Sequence, residues 1–434
     1  MEKIIIRGGN KLKGTVKISG AKNSAVALIP AAILSDEPVI INNVPNISDI
    51  DALIEILEFL DAKINRNNNT LTIDASKIQN KEIPMEVSQK LRASYYFMSS
   101  ILGKYNKVEM YFPGGCNIGK RPIDQTLKAF KALGATIVEK ENKYDIYAEK
   151  LKSAHIHLDM PSVGATINAI YSSVKVDGIT EITNAAREPE IGNVIDFLNQ
   201  MGAKIQGKGT KTITITGVEY LHGTTIDVIP DRIEAGTYII IASLLGENLK
   251  IENIIPEHID SLLQKLKEIG VNYEKGKDYL IVNQTTSLKP TNIKTEGYPG
   301  FPTDLQQPIT ALLTQCDGMS SIEETIYENR FKNVEYLNMM GSDINIDGRK
   351  IYIKGKTKLQ GKDVKATDLR AGACMLIAGL IADGVTTISD IEHVLRGYEN
   401  IIEKLKNIGA KIEKEEIWYR DNNLFFYGGV YENN

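Results

Sequence analysis

The sequence predicts an α/β protein of two lobes, each made of three repeats of a helix–strand–helix–strand unit, with buried helices surrounded by small sheets. Three observations predict it. A short phrase recurs six times: Leu60-Asp61-Ala62, Leu133-Gly134-Ala135, Met201-Gly202-Ala203, Ile269-Gly270-Val271, Met340-Gly341-Ser342 and Ile408-Gly409-Ala410, spaced 68 to 73 residues apart. A fixed period sets an architecture before any motif is read. Several helical runs are apolar nearly all round (Ala25 to Leu34, Tyr238 to Leu245, Ala371 to Ile381), and such helices are buried. No Ser/Gly-rich or low-complexity segment divides the chain, so the joint is short and a hinge between lobes is expected.

The elements follow in order. Met1 to Arg7 reads as a strand and is too short for a signal peptide. The strands within residues 1 to 20 lack a partner in the first unit and are predicted to close the second lobe, beside the chain's end. The first helices of the six units are placed near Lys22, Gln89, Ser162, Asp231, Thr303 and Thr367. In the third unit Val163 to Ser173 is a helix, Thr180 to Thr183 a strand, Asn184 to Glu190 a loop and Ile191 to Met201 an amphipathic helix stopped by Gly202. Strands at Ala203 to Gln206 and Thr212 to Ile215 complete it. The boundary is expected near Ile229-Pro230, giving lobes of 21–229 and of 1–20 plus 230–434.

Of 434 residues 42% are hydrophobic and 24% charged, an ordinary soluble composition. A net charge of −4 argues against a general nucleic-acid binder. No apolar run reaches the roughly 20 residues of a membrane span. The three cysteines (Cys116, Cys316, Cys374) are far apart, which fits a reducing cytoplasm and gives no metal spacing.

Chemistry concentrates in the loops. Pro113-Gly114-Gly115-Cys116-Asn117-Ile118-Gly119-Lys120-Arg121-Pro122 sets a thiol among glycines beside two cations, which lower a thiol's pKa; the alternative is a surface loop with an incidental Cys. Cys374, inside an apolar helix, reads as structural, and Cys316 has no assigned role. Lys22, Arg92, Arg330, Arg370 and Arg396 stand at the same end of their units. Gathered from both lobes, they would form an anion site, since guanidinium forks suit phosphate and carboxylate. Ser162-Val163-Gly164 starts a helix, where free N–H groups bind phosphate or Ser162 is a plain cap. Arg121-Pro122-Ile123-Asp124-Gln125 reads as another helix start. Asp304, also at a helix start, is by default a cap.

These loops, with Arg7-Gly8-Gly9, Ser19-Gly20-Ala21-Lys22-Asn23, Asn184 to Glu190, Pro230 to Thr237, Phe301-Pro302-Thr303-Asp304, Glu328-Asn329-Arg330-Phe331, Asp368 to Gly372 and Arg396-Gly397-Tyr398, resemble the UDP-N-acetylglucosamine enolpyruvyl transferases essentially end to end. The resemblance implies a two-lobed inside-out α/β barrel and the first committed step of peptidoglycan precursor synthesis in the cytoplasm. That step moves the enolpyruvyl group of phosphoenolpyruvate to the 3-hydroxyl of UDP-N-acetylglucosamine. No metal or organic cofactor is implied, and no nucleic-acid or membrane partner. It makes Cys116 the proton donor and the thiol alkylated by fosfomycin, and Asp304 the group that holds and deprotonates the sugar hydroxyl. Lys22, Asn23, Arg92, Arg121, Arg330, Arg370 and Arg396 would bind phosphoenolpyruvate, with Lys22 and Arg396 counted as catalytic. Arg92, Arg121, Pro122, Ile123, Asp124, Gln125, Ser162, Val163, Gly164, Asp304 and Ile326 would bind the nucleotide sugar. One departure stands out: Met160-Pro161 precede Ser162 where some members carry a basic residue, leaving the diphosphate to backbone N–H groups and Arg121. The nearest rival is transfer to shikimate 3-phosphate; a second is a non-catalytic nucleotide-sugar sensor.

Overall fold

Left-handed backbone marks each of the six recurring phrases: Asp61 (φ 68°), Gly134 (89°), Gly202 (101°), Gly270 (96°), Gly341 (104°) and Gly409 (106°). This conformation frees the chain from the preceding helix, and glycine adopts it without a Cβ penalty. Asp61 is the exception that chemistry allows, because short polar side chains tolerate this region best. A strand follows every phrase: Lys63–Asn67, Thr136–Lys140, Lys204–Gln206, Tyr273–Lys275, Asp343–Asp347 and Lys411–Glu416. The computed structural model describes residues 2–114 and 123–416.

Six helices form the interior: α1 (Lys22–Ala31), α2 (Tyr96–Tyr105), α3 (Val163–Ser173), α4 (Arg232–Leu245), α5 (Gln306–Leu313) and α6 (Leu369–Ile381). In α4 every residue from Ile233 to Leu245 is buried, and in α6 every residue from Leu369 to Leu380. Small residues bring these helices close. A Cβ on Gly103 of α2 would lie 2.4 Å from the Tyr171 carbonyl oxygen of α3. The Tyr171 hydroxyl donates to the Ala27 carbonyl of α1 at 2.5 Å, satisfying a polar group with no water around it.

Among the described residues there are five four-stranded sheets and one three-stranded sheet. In three of them the strand before a buried helix runs parallel to the strand after it, as Asp363–Lys365 does with Val385–Ser389 around α6. Two sheets exchange these leading strands. Thr15–Lys17 precedes α1 but pairs with Leu249–Glu252, and Thr225–Asp227 precedes α4 but pairs with Val39–Asn42. Glu2–Arg7 lies between Val385–Ser389 and Lys411–Glu416, antiparallel to both. Strand residues alternate, so Ile4, Ile6, Leu71, Ile73, Ile213 and Ile215 face the cores. The three-stranded sheet keeps only a bridge from Ile83 to Met110 in place of its leading strand. Pro84 follows directly and has no N–H to extend the ladder.

The chain divides into two compact units. The first holds Ser19–Arg232 and Glu296–Gly300; the second holds the described residues of 1–18, 233–295 and 301–434. The excursion at Glu296–Gly300 is not foretold by the repeat period. Each unit has its own hydrophobic core. No helix among the described residues is long and apolar enough to cross a membrane.

The second buried helix departs from the sequence reading. It starts at Tyr96, not near Gln89. A short helix Met85–Ser88 ends at Gln89, Leu91 is extended, and a 3₁₀ turn Arg92–Tyr95 leads into α2. The break admits the segment that leads to Cys116. Gly114 lies so close that a Cβ there would be 1.8 Å from the Gln89 carbonyl oxygen, and its N–H donates to the Ser88 carbonyl at 3.3 Å.

Candidate active site

In the second unit one carboxylate gathers two guanidinium groups. Asp304 lies in a 3₁₀ turn, Thr303–Leu305, that opens α5. Arg330 Nη2 donates to Asp304 Oδ1 at 2.7 Å, and Arg370 Nη2 donates to Oδ2 at 3.0 Å. The arginine side chains are only 4% and 6% exposed, and that of Asp304 25%. Burial pushes the Asp304 carboxyl up, but the Arg370 and Arg330 charges overcome this and hold it well below the usual carboxylate range. No side chain caps α5 at Leu305, so the carboxylate serves the arginines rather than a helix end. Asp368 is the cap that the reading of Asp304 described: it accepts from Arg370 N–H at 2.9 Å and Ala371 N–H at 3.0 Å, fixing the first turn of α6 and with it Arg370.

The cluster continues into the buried interior. Arg370 Nη1 donates to the Tyr398 hydroxyl at 3.2 Å, and that hydroxyl lies 2.9 Å from Thr237 Oγ1 on α4. Arg396, predicted for the anion clamp, follows the short helix Glu392–Leu395 and stands two residues before Tyr398. Ile326 is 39% exposed, on a turn whose N–H groups are held by Glu324.

In the first unit Lys22 opens α1. Its ammonium pairs with Asp49 at 2.7 Å, and its backbone N–H donates to Asp231 at 3.1 Å. Asn23 is its helical neighbour. Ser24 donates to Asn193 at 2.5 Å, and Asn193 also receives the Ile229 N–H at 3.1 Å, which ties the start of α1 to the 227–229 segment. A second group joins the segments assigned to the nucleotide sugar. Gln125 Nε2 donates to Asp159 at 3.0 Å and its carbonyl accepts the Asp159 N–H at 2.8 Å, which brings Ile123, Asp124 and Gln125 beside the Ser162-Val163-Gly164 turn. Ser162 Oγ accepts the Ala165 N–H at 3.3 Å, so it caps α3. Tyr95 bridges to Arg92: its hydroxyl rests on Gly164, and the Arg92 guanidinium lies 5.4 Å from its ring centre. Met160, at the departure from the family pattern, is 59% exposed. Cys116, Arg121 and Pro122 lie outside the described residues.

The family described as EPSP synthase (3-phosphoshikimate 1-carboxyvinyltransferase) matches residues 6–405. UDP-N-acetylglucosamine 1-carboxyvinyltransferase 2 of Geobacillus kaustophilus (strain HTA426) is 49% identical over 417 residues, covering 96% of this chain and 97% of its own. The protein of the same name from Streptococcus thermophilus (strain ATCC BAA-250 / LMG 18311) is 51% identical over 415 residues, covering 95% and 99%. The chain belongs to the UDP-N-acetylglucosamine 1-carboxyvinyltransferase family. Solved enolpyruvyl transferases share the fold. NikO from Streptomyces tendae superposes with a TM-score of 0.88 at 27% identity, covering 95% of this chain and 99% of that one. An EPSP synthase from Acinetobacter baumannii gives 0.74 at 18%, covering 96% and 100%. The inside-out α/β architecture expected from the resemblance is therefore the architecture of this family member.

Sequence reasoning missed Asp49, Tyr95, Thr303 and Glu324 as partners of the family's cations and loops. Asp49 reads as an ordinary acidic residue in the first turn of the helix Ser48–Phe59, and nothing in its spacing from Lys22 reveals the ion pair. The contact at Gly164 makes a direct test. A Cβ there would lie 1.4 Å from the Tyr95 hydroxyl oxygen. Gly164→Ala is expected to displace Tyr95 and to cost about 1–3 kcal/mol, the range for overpacking. A denaturant midpoint equal to that of the wild type would refute this.

Proposed function

We propose that the chain transfers the enolpyruvyl group of phosphoenolpyruvate to the 3-hydroxyl of UDP-N-acetylglucosamine, releasing inorganic phosphate, as the first committed step of peptidoglycan precursor synthesis. The observation that carries the reading is 49–51% identity, over nearly the whole chain, to relatives bearing that activity in their names. A cytoplasmic setting goes with these substrates and with the three widely spaced cysteines.

The chemistry assigns work to the residues. The enol carbon of phosphoenolpyruvate is a poor electrophile until its methylene gains a proton. Cys116 would supply that proton, and the adjacent carbon, now cation-like, would take the sugar oxygen. Loss of phosphate, with a methyl proton returned to the Cys116 thiolate, would restore the double bond and the thiol. Lys22, Asn23, Arg92, Arg121, Arg330, Arg370 and Arg396 would hold the phosphate and carboxylate, a task suited to guanidinium forks. Asp304 would accept the hydrogen bond of the attacking hydroxyl. As it stands, Asp304 is a weak base, because two guanidinium groups hold it ionised. An anionic substrate that drew on Arg330 and Arg370 would relax that hold and raise the carboxylate's proton affinity, so the base would strengthen as the electrophile arrived.

Phosphate release from phosphoenolpyruvate is expected with UDP-N-acetylglucosamine and not with shikimate 3-phosphate, each offered in turn to the purified protein. Release with shikimate 3-phosphate alone would transfer the reading to the sister reaction. Binding of the nucleotide sugar without any turnover would make the chain a sensor.

A further inference from the structure

We infer that Glu324 is a positioning residue that fixes the Arg330 guanidinium from two sides. The inference rests on the function proposed above. Glu324 is fully buried, directly after the strand Gly318–Glu323. Burying a carboxylate is costly unless donors meet it, and here four do. Its Oε1 accepts from the Thr295 hydroxyl at 3.0 Å, the Ile326 N–H at 2.8 Å and the Tyr327 N–H at 3.1 Å. Its Oε2 accepts from the Thr303 hydroxyl at 2.8 Å. A carboxylate is acceptor-only with about four lone-pair sites, so this one is filled by donors alone.

Two of those donors flank Arg330. The Thr303 hydroxyl gives its proton to Glu324 and so presents a lone pair to Arg330 Nη1 at 3.0 Å. Tyr327, whose N–H is held by Glu324, sets its ring 5.0 Å from the Arg330 guanidinium carbon. Arg330 Nη2 is thereby aimed at Asp304. The same carboxylate shapes the turn at Ile326, a position the family resemblance assigns to the nucleotide sugar. Glu324 thus ties the anion-binding arginine to the acceptor-side turn.

An amide cannot do the same. In Glu324→Gln the carbonyl oxygen can keep the three donors of Oε1, but the amide nitrogen then faces the Thr303 hydroxyl and donates to it. Thr303 loses the acceptor that oriented its proton. We expect Glu324→Gln to raise KM for phosphoenolpyruvate about tenfold, with kcat changed less. Thr303→Val should do the same, and Thr303→Ser, which keeps the hydroxyl, should stay near the wild type. In the double variant the two effects should not add, because they act through one contact. An unchanged KM in Glu324→Gln with a lowered Tm would make Glu324 a packing residue only and overturn the inference. Additive effects would overturn the route through Thr303. If Glu324→Gln does not fold, Thr303→Val against Thr303→Ser decides alone. A wild type that releases no phosphate would sink the function itself, whereas an active wild type beside unaffected variants sinks only this inference.

Discussion

Asp304→Asn is expected to lower kcat by about 10²-fold or more while phosphoenolpyruvate binds as tightly as before or tighter. The second half follows from the ion pairs. Asp304 neutralises part of the charge of Arg330 and Arg370, each held by one carboxylate oxygen. An incoming anion must compete with it. Asparagine removes the competitor's charge and leaves both guanidinium groups more available. The first half follows from the loss of the only kind of group at this position that can take the hydroxyl proton. Steady-state kinetics and calorimetric titration with phosphoenolpyruvate separate the two. A tenfold weaker phosphoenolpyruvate affinity with intact kcat would show that Asp304 serves only to hold the arginines.

Stability should move as well. Breaking a fully buried pair costs about 3–5 kcal/mol; with Asp304 a quarter exposed, about 2–3 kcal/mol is expected here. The folded carboxyl is held below its unfolded value, so its contribution is present above the ordinary carboxylate range and is lost as pH falls through the lower folded value. The stability difference between wild type and Asp304→Asn should therefore stay flat from about pH 5 to pH 9 and shrink progressively as pH falls below about 4. Inorganic phosphate should stabilise the variant more than the wild type, because it supplies the missing negative charge.

The repeat was legible because its signal is local. A helix end that needs left-handed backbone writes a glycine, or at Asp61 a short acid, into the sequence at a fixed place. Apolar helices such as α4 and α6 wrote their burial just as plainly. For Thr15–Lys17 the lobe was legible, because the strands of residues 1 to 20 have no partner in the first unit, but its sheet beside Leu249–Glu252 was not; nor was the pairing of Thr225–Asp227 with Val39–Asn42, because alternation alone would let either strand satisfy either sheet. The break at Gln89 was hidden too: it goes with the close approach of Gly114, twenty-five residues later in the chain. At the site, cations were readable as a set, but their carboxylate partners were not. Asp49 and Glu324 look like any surface acid, and only folding shows one holding Lys22 and the other filled by donors. Asp304 was visible as a helix-start acid. Its pairing with Arg330 of its own repeat and Arg370 of the next depends on contacts that no spacing encodes.

Fosfomycin is expected to leave one adduct on the native protein, at Cys116, and Cys116→Ser is expected to lose both the adduct and about 10²–10⁴-fold of turnover. The structure supplies the contrast that makes the experiment sharp. Cys316 and Cys374 are both buried. Burial pushes the Cys316 thiol up to about 12, and the Cys374 thiol likewise to about 12 although Asn333 donates to it at 3.5 Å. Neither carries appreciable thiolate near neutral pH, and thiolate is the form that attacks an epoxide. Cys116 sits in sequence beside Lys120 and Arg121, whose charges favour ionisation. Intact-mass measurement on the folded protein should therefore count one reactive thiol, and iodoacetamide in denaturant should count three. Adducts on Cys316 or Cys374 in the native state would contradict their burial. Undiminished turnover in Cys116→Ser would remove the proton donor from the scheme, because a serine hydroxyl is far too weak an acid to take the thiol's place at neutral pH.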